Sequence, residues 1–199
     1  NQQYFYKAIG TDKFDLLHTN KWDDTFAILS FNYASKNPDE AYVLTNLDSD
    51  KTRIVLYDFK NRKIVKEIYA NADYDASILG LSRKRNYEID YLGFEGEKVV
   101  IEPVSRTFKG IYDNLTKQFP NYQFSIVAKT DNEDRYLLLV ESDRLYGKYY
   151  SYSTSTGKAE LLYDLMPQLE ENDMAVMKPI SFKSRDGLTI HGYITLPKA

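Results

Sequence analysis

No cysteine occurs among the 199 residues of the chain. Disulfides, thiolate zinc sites and cysteine nucleophiles are therefore excluded, and neither a reducing nor an oxidising compartment is selected. Glycine is sparse, with 9 residues, and none stands in a glycine-rich phosphate loop, so nucleotide binding has no support. The 2 histidines, His18 and His191, form no His-x-x-x-His or His-Glu-x-x-His pair, which argues against a zinc hydrolase of that type. There is no excess of positive charge: 26 Lys and Arg face 29 Asp and Glu, the formal net charge is -3, and the signs are mixed along the chain. A nucleic-acid footprint needs a basic face, and none is legible. No apolar run approaches the roughly 18 residues of a membrane span. The first residues are Asn1-Gln2-Gln3 rather than a methionine, so preceding sequence with any targeting information is expected to lie outside this chain.

Aromatic residues are what the chain has in quantity. Its 18 Tyr and 10 Phe favour strands over helices. A long-period repeat accompanies them. Tyr4-Phe5 followed by Leu16-Leu17 returns as Tyr149-Tyr150 followed by Leu161-Leu162, an offset of 145 without a gap. Ile54-Val55-Leu56-Tyr57 lies 95 before Tyr149-Tyr150-Ser151-Tyr152. Tyr42-Val43-Leu44 similarly anticipates Tyr136-Leu137-Leu138, and Ser49-Asp50 anticipates Ser142-Asp143. These offsets are two and three times a period of about 48, and blades of a four-stranded propeller repeat every ~40–50 residues.

The units follow from the apolar runs and the turn residues between them. Residues 4–19 give two strands, the tail of one blade. Residues 25–70 give four strands: Phe26–Phe31, Tyr42–Leu47, Arg53–Phe59 and Lys63–Tyr69. Residues 76–120 give three, Ser77–Leu81, Tyr87–Leu92 and Lys98–Glu102, and then a helix over 105–119. In that helix Phe108, Ile111, Tyr112, Leu115 and Phe119 recur at helical spacing and Pro120 is the stop. The spacing suits an apolar stripe packed on a neighbouring blade, or else a partner-binding helix. Residues 122–165 give four strands again, and residues 166–178 read as a linker. Residues 179–199 read as a hairpin around Asp186-Gly187, with both central residues expected at positive φ.

Side chains that could carry chemistry are few. The only near match to a Gly-x-Ser-x-Gly nucleophile elbow is Gly80-Leu81-Ser82-Arg83-Lys84, which lacks the second glycine and sits in a strand pattern. Its simpler reading is a polar residue at a strand end. The paired carboxylates Asp23-Asp24, Asp48 with Asp50, Asp73 with Asp75 and Glu170-Glu171 read as turn residues. Asp48-x-Asp50 lacks the glycine and closing glutamate of a calcium loop. Asn114-Leu115-Thr116 fits a short glycosylation sequon. No catalytic residue, metal ligand or cofactor is assigned.

The stretch Pro179-Ile180-Ser181-Phe182-Lys183-Ser184-Arg185-Asp186-Gly187-Leu188-Thr189-Ile190-His191-Gly192-Tyr193-Ile194-Thr195-Leu196-Pro197 resembles the junction of prolyl-oligopeptidase-type serine peptidases, where a β-propeller hands over to an α/β-hydrolase domain. The junction residues that carry the likeness are Arg185, Asp186, Gly187, His191, Gly192, Tyr193 and Pro197. Met174-Ala175 ahead of Lys178-Pro179-Ile180, and Ser142-Asp143 ahead of Lys148-Tyr149-Tyr150, resemble the family's last blade and run-in, though Ser153 stands where an aspartate is common. Asp73 and Asp75 followed by Leu81-Ser82 resemble the start of a blade. The resemblance, which includes acylaminoacyl-peptidase-like and dipeptidyl-peptidase-like members, implies that the serine, aspartate and histidine of the parent lie in the hydrolase domain. His191 inherits no catalytic role from it. The propeller is then the part that covers the active site and limits peptide access.

The expected fold is all-β: a partial, open propeller of about three to four blades of four-stranded antiparallel sheet, with one inserted helix and a C-terminal hairpin. Its domain division is 1–178 for the propeller and 179–199 for the opening of the hydrolase. The expected partners are that hydrolase domain and, in the parent, a peptide substrate, with no nucleic acid and no membrane span. Uncovered blade faces and open edges predict self-association. The tyrosine-rich β composition leans towards the cell envelope or periplasm rather than the cytoplasm. The alternative is a stand-alone binding module, a small propeller or sandwich that holds a glycan or protein at its aromatic face. A stand-alone enzyme is disfavoured, because no nucleophile, base and orienting group can be assembled.

Overall fold

In the computed structural model residues 2–197 are described, and the chain divides into two compact units, Asn1–Lys109 and Gly110–Ala199. The first unit holds three antiparallel sheets. β1 (Gln3–Tyr6) pairs with β2 (Asp15–Thr19). β3 (Phe26–Phe31), β4 (Glu40–Thr45), β5 (Arg53–Asp58) and β6 (Lys63–Tyr69) form a four-stranded meander in chain order. β7 (Ala76–Ser82), β8 (Glu88–Glu95) and β9 (Val99–Pro103) form a three-stranded one.

Strand periodicity decides how these sheets stack. Successive side chains point to opposite faces. On one face of the four-stranded sheet, Val43, Val55 and Tyr57 meet Tyr4, Tyr6 and Leu17 from the first sheet. On the other, Tyr42 and Ile54 meet Ala76 and Leu92 from the third. Both faces being covered explains why β4 and β5 read as near-continuous apolar runs rather than as polar–apolar alternation. Val43, Ile54 and Val55 are completely buried. Each such side chain contributes about 1.5–3 kcal/mol relative to exposure.

The second unit centres on β10 (Gln123–Lys129), β11 (Arg135–Glu141), β12 (Lys148–Ser153) and β13 (Lys158–Asp164), again a meander in chain order. The division between units falls inside α1 (Arg106–Gln118), the one helix among the described residues. Its residues Ile111 and Leu115, with Phe119 just beyond, pack on Phe124, Tyr136, Leu138, Val140 and Tyr152 of this sheet. At these positions the apolar stripe is therefore packed on a sheet. The helix stops two residues before Pro120, which disfavours helical backbone at its predecessor.

The repeat is structural down to an irregularity. In β1–β2, Tyr4 pairs with His18 and Phe5 with Leu16, and the register shifts between Tyr4 and Phe5. In β12–β13, Tyr149 pairs with Tyr163 and Tyr150 with Leu161, with the shift between Tyr149 and Tyr150. In β5–β6 the same shift falls between Ile54 and Val55. β1–β2 thus shares the register irregularity of the last strand pair of each four-stranded sheet. The architecture is all-β, a partial β-propeller built of blade-type meanders, and among the described residues no strand of one sheet pairs with another sheet.

β14 (Met177–Lys183) and β15 (Thr189–Thr195) make the terminal hairpin. β14 begins two residues ahead of Pro179, inside the segment expected as linker. Its turn also differs from the sequence expectation. Gly187 alone is at positive φ, 86°, whereas Asp186 is not. Gly187 N donates to Ser184 O at 3.0 Å, and Ser184 N donates to Leu188 O at 2.9 Å. The connection is a three-residue loop with a glycine bulge, not a two-residue turn. The Asp186 carboxylate accepts from Ser184 Oγ and from Leu188 N within this loop.

Candidate functional site

The edge strands β3 and β7 flank a cavity of about 600 Å³ in the first unit. That volume lies within the ~300–1,000 Å³ typical of ligand pockets. Among the described residues β3 pairs only with β4, and β7 only with β8. The ladders of both edge strands carry irregularities. On β3, Ile28 pairs with Val43 and Ser30 with Tyr42, so Leu29 is an extra residue. On the β7–β8 ladder, Gly80 pairs with Tyr91 and Leu81 with Ile89, so Asp90 is extra. A bulge bends its strand and re-aims a side chain. Ile28, Leu29 and Phe31 on one side and Leu79 and Leu81 on the other give the cavity aliphatic and aromatic walls.

The mouth is built by two loops. Tyr33 follows β3 and Tyr87 precedes β8, and their rings lie 4.6 Å apart at 35°. Phe31 meets Tyr33 edge-on at 6.3 Å. Arg83 stands at the same rim. The loop carrying Tyr87 has two consecutive non-glycine residues in the left-handed region, Asn86 at 51° and Tyr87 at 59°. Asparagine tolerates that conformation, but a bulky ring is an outlier there.

Buried polar groups hold the loop in place. Tyr87 N donates to Ser82 O at 2.6 Å. Arg85 N donates to Ser82 Oγ at 3.1 Å, and the Arg85 guanidinium bonds Glu88 at 2.7 Å and the Asp90 carboxylate. Asp90 is completely buried and accepts from Ser105 Oγ at 2.6 Å. Its carbonyl receives Val104 N and Ser105 N, which ties the bulge to the start of α1. Burial first, and the neighbouring Asp90 charge second, push the Tyr91 hydroxyl up to about 12.

A smaller cavity of about 290 Å³ shares Ile28 and Phe31 with the first. Tyr6 borders it, its hydroxyl donating to Asp39 Oδ1 at 2.6 Å. Burial first and that bond second raise Tyr6 to about 12.

The residues singled out by sequence are dispersed. Ser82 ends β7, fully buried, with its oxygen bonded in the turn, which is the polar strand-end role. The His18 ring lies tilted against Phe26, centroids 5.0 Å apart, and its Nε2 is 3.8 Å from Asp24. Asp24 accepts from Lys21 N, Asp75 from Thr52 N, and Glu171 from the Tyr122 hydroxyl, while Asp48 lies in a left-handed turn. Asn114 lies on α1 and accepts from Gln118. Arg185, Asp186 and Gly187 form the hairpin loop, His191, Gly192 and Tyr193 lie on β15, and Pro197 follows it. Pairing puts Ile180, Phe182, Ile190 and Ile194 on one hairpin face, with Ser181, His191 and Tyr193 on the other. Tyr33, Arg83 and Tyr87 were not singled out by sequence. The available signal was Arg83-Lys84-Arg85-Asn86-Tyr87, a turn without glycine.

No protein-family model matches this chain, and no curated protein matches it. Solved structures do. A prolyl endopeptidase, from a study of inter-domain dynamics in catalysis and specificity, superposes with a TM-score of 0.61 at 18% identity, over 98% of this chain and 28% of that one. The fold is that of a stretch of a prolyl oligopeptidase. Prolyl oligopeptidase B from Galerina marginata, bound to a 35mer hydrolysis and macrocyclization substrate, gives 0.57 at 14% identity, over 92% of this chain and 25% of that one. The same protein with a 25mer macrocyclization substrate gives 0.58 at 14% identity, over 91% and 24%. The chain spans about a quarter of the length of these structures. Among the described residues no helix is long and apolar enough to cross a membrane.

Proposed function

We propose that this chain is the non-catalytic propeller portion of a serine peptidase of the prolyl-oligopeptidase type, among its acylaminoacyl- and dipeptidyl-peptidase-like members. In the parent it covers the active site and restricts which peptides reach it. The observation that carries the reading is the hairpin. Arg185-Asp186-Gly187 and His191-Gly192-Tyr193 form one turn-and-strand unit behind the blade-type sheets, and its apolar side chains are exposed, Phe182 by 56%. A two-stranded hairpin is marginal alone in water, so an exposed apolar face on one favours a further packing partner. The hydrolase domain of the same parent is that partner under this reading. Hydrolysis of peptide or acyl-peptide bonds belongs to its serine, aspartate and histidine, and this chain by itself turns over no substrate.

The test is the coding sequence behind the hairpin. A frame of roughly 200–250 residues with a Gly-x-Ser-x-Gly elbow, then Asp, then His supports the proposal. A stop codon there overturns it and favours the second reading, a stand-alone module binding a glycan or protein, for which the aromatic mouth at Tyr33 and Tyr87 speaks. Two further expectations belong to the same proposal. The isolated chain self-associates through open edges and exposed apolar faces, and a monomer at high concentration in sizing experiments counts against that. The parent resides in the cell envelope, which fractionation decides.

A further inference from the structure

We propose that the smaller cavity, of about 290 Å³, binds an organic cation of lysine-like shape, an alkylammonium whose charge meets Asp39 and whose stem lies among aromatic rings. The site goes beyond the peptidase reading and does not depend on it.

Four strand ends converge on this cavity. Tyr6 closes β1, Phe31 closes β3, Asp39 precedes β4 and Phe59 follows β5. Antiparallel pairing sets these ends side by side, with Phe31 opposite Ala41 and Glu40 opposite Asp58. Phe59 N donates to Asp39 O at 3.0 Å, which fixes the backbone that carries the carboxylate. The rings run on from one another: Tyr6 and Phe59 have centroids 6.2 Å apart, and so do Phe59 and Phe31. Ring faces carry negative partial charge and attract an ammonium within about 6 Å of the centroid.

Charge names the occupant. Asp39 is the one carboxylate among the lining residues, and it is half-buried. Among the described residues its side chain takes a single hydrogen bond, from the Tyr6 hydroxyl at 2.6 Å, and it forms no ion pair. The Asp58 carboxylate, kept charged by bonds from Asn61 and Asn37, acts on the same Tyr6 hydroxyl. Lys7 is the one cation among the lining residues, and its Nζ is engaged by Asp12 at 3.2 Å and lies 5.6 Å from the Phe14 centroid. A partly desolvated carboxylate beside aromatic rings is matched by a cation with an apolar stem. An anion meets repulsion there, and a hydrocarbon leaves the carboxylate without a partner.

The experiment titrates this chain in phosphate buffer with Nα-acetyl-lysine methylamide and with its norleucine counterpart, which keeps the stem and lacks the charge, by calorimetry. The lysine compound is expected to bind about tenfold tighter at low salt, with the preference shrinking as salt is added. Asp39→Asn keeps an acceptor for the Tyr6 hydroxyl and is expected to abolish the preference. Phe31→Leu keeps an apolar wall without a π face, and is expected to weaken the lysine compound about threefold and leave the norleucine compound unchanged. Lys7→Gln removes a competing ammonium and is expected to strengthen the lysine compound. Melting curves establish that each variant is folded. Absence of binding at millimolar lysine compound overturns the proposal, as does equal affinity for the two compounds or a preference that survives Asp39→Asn. Should Asp39→Asn not fold, Lys7→Gln decides, and affinity unchanged or lowered in that variant overturns the proposal. A stop codon behind the hairpin removes the peptidase reading and leaves this site standing, and loss of binding does the converse.

Discussion

At the scale of single residues, the glycines divide by what a methyl group would meet. A Cβ on Gly93 would lie 2.0 Å from the carbonyl oxygen of Val100 on the neighbouring strand. Backbone cannot yield there without breaking the β8–β9 ladder, so Gly93→Ala is expected to cost about 1–3 kcal/mol, read as a lowered urea midpoint. Gly110 is the opposite case. It lies within α1, and nothing approaches within 4 Å of its Cβ position. Gly110→Ala is expected to stabilise by about 0.5–1 kcal/mol through the entropy of the unfolded chain, and the same denaturation curve checks it.

Elements depend on their ends. Ser105 precedes α1 and accepts from Phe108 N at 3.1 Å, the geometry of an N-cap. The same hydroxyl donates to Asp90 at 2.6 Å. Ser105→Ala therefore removes a cap and a partner of a buried carboxylate together. A loss of about 2 kcal/mol is expected, beyond the ~1 kcal/mol of a cap alone, and loss of helical circular dichroism ahead of global unfolding would locate it. Much of this level was legible in sequence. β3 and β6 fall on the spans read from the apolar runs and the turn residues between them. Even the outer-strand bulge left a trace, as the matched Tyr-Phe and Tyr-Tyr pairs. The hairpin loop departs from the sequence expectation because Asp-Gly serves two turn types, which the backbone bonds among Ser184, Gly187 and Leu188 distinguish. The cavity was not legible. Its two walls lie some fifty residues apart in the chain, and its mouth depends on a left-handed tyrosine that no propensity scale anticipates.

For the whole molecule, tyrosine sets the alkaline limit. Tyr6 and Tyr91 are both raised from an ordinary value of 10 to about 12. Burial also raises Tyr42, Tyr57 and Tyr152. Below pH 10 these hydroxyls keep their protons in the folded and the unfolded chain alike, and their contribution is complete. Between about 10 and 12 the unfolded chain releases protons that the native state retains, so stability falls as pH rises through that window. The urea midpoint is expected to be level from pH 8 to about 9.5 and to decline above 10. Tyr91→Phe is expected to make the decline shallower. An unchanged slope in that variant would show that Tyr91 titrates alike in both states.

Among the described residues every sheet pairs only strands that are neighbours in the sequence. Such contacts close short loops, and short loops form fast. A ribosome adds ~5–20 residues per second, whereas a hairpin forms in microseconds. Each meander can thus finish its own hydrogen bonding while the next is still being translated. In the first unit, what each of the first two sheets then waits for is a covering face, which the next sheet brings. The order in which codons are read becomes the order in which apolar surface is hidden, and a pause in translation between two meanders leaves one face wet for as long as the pause lasts.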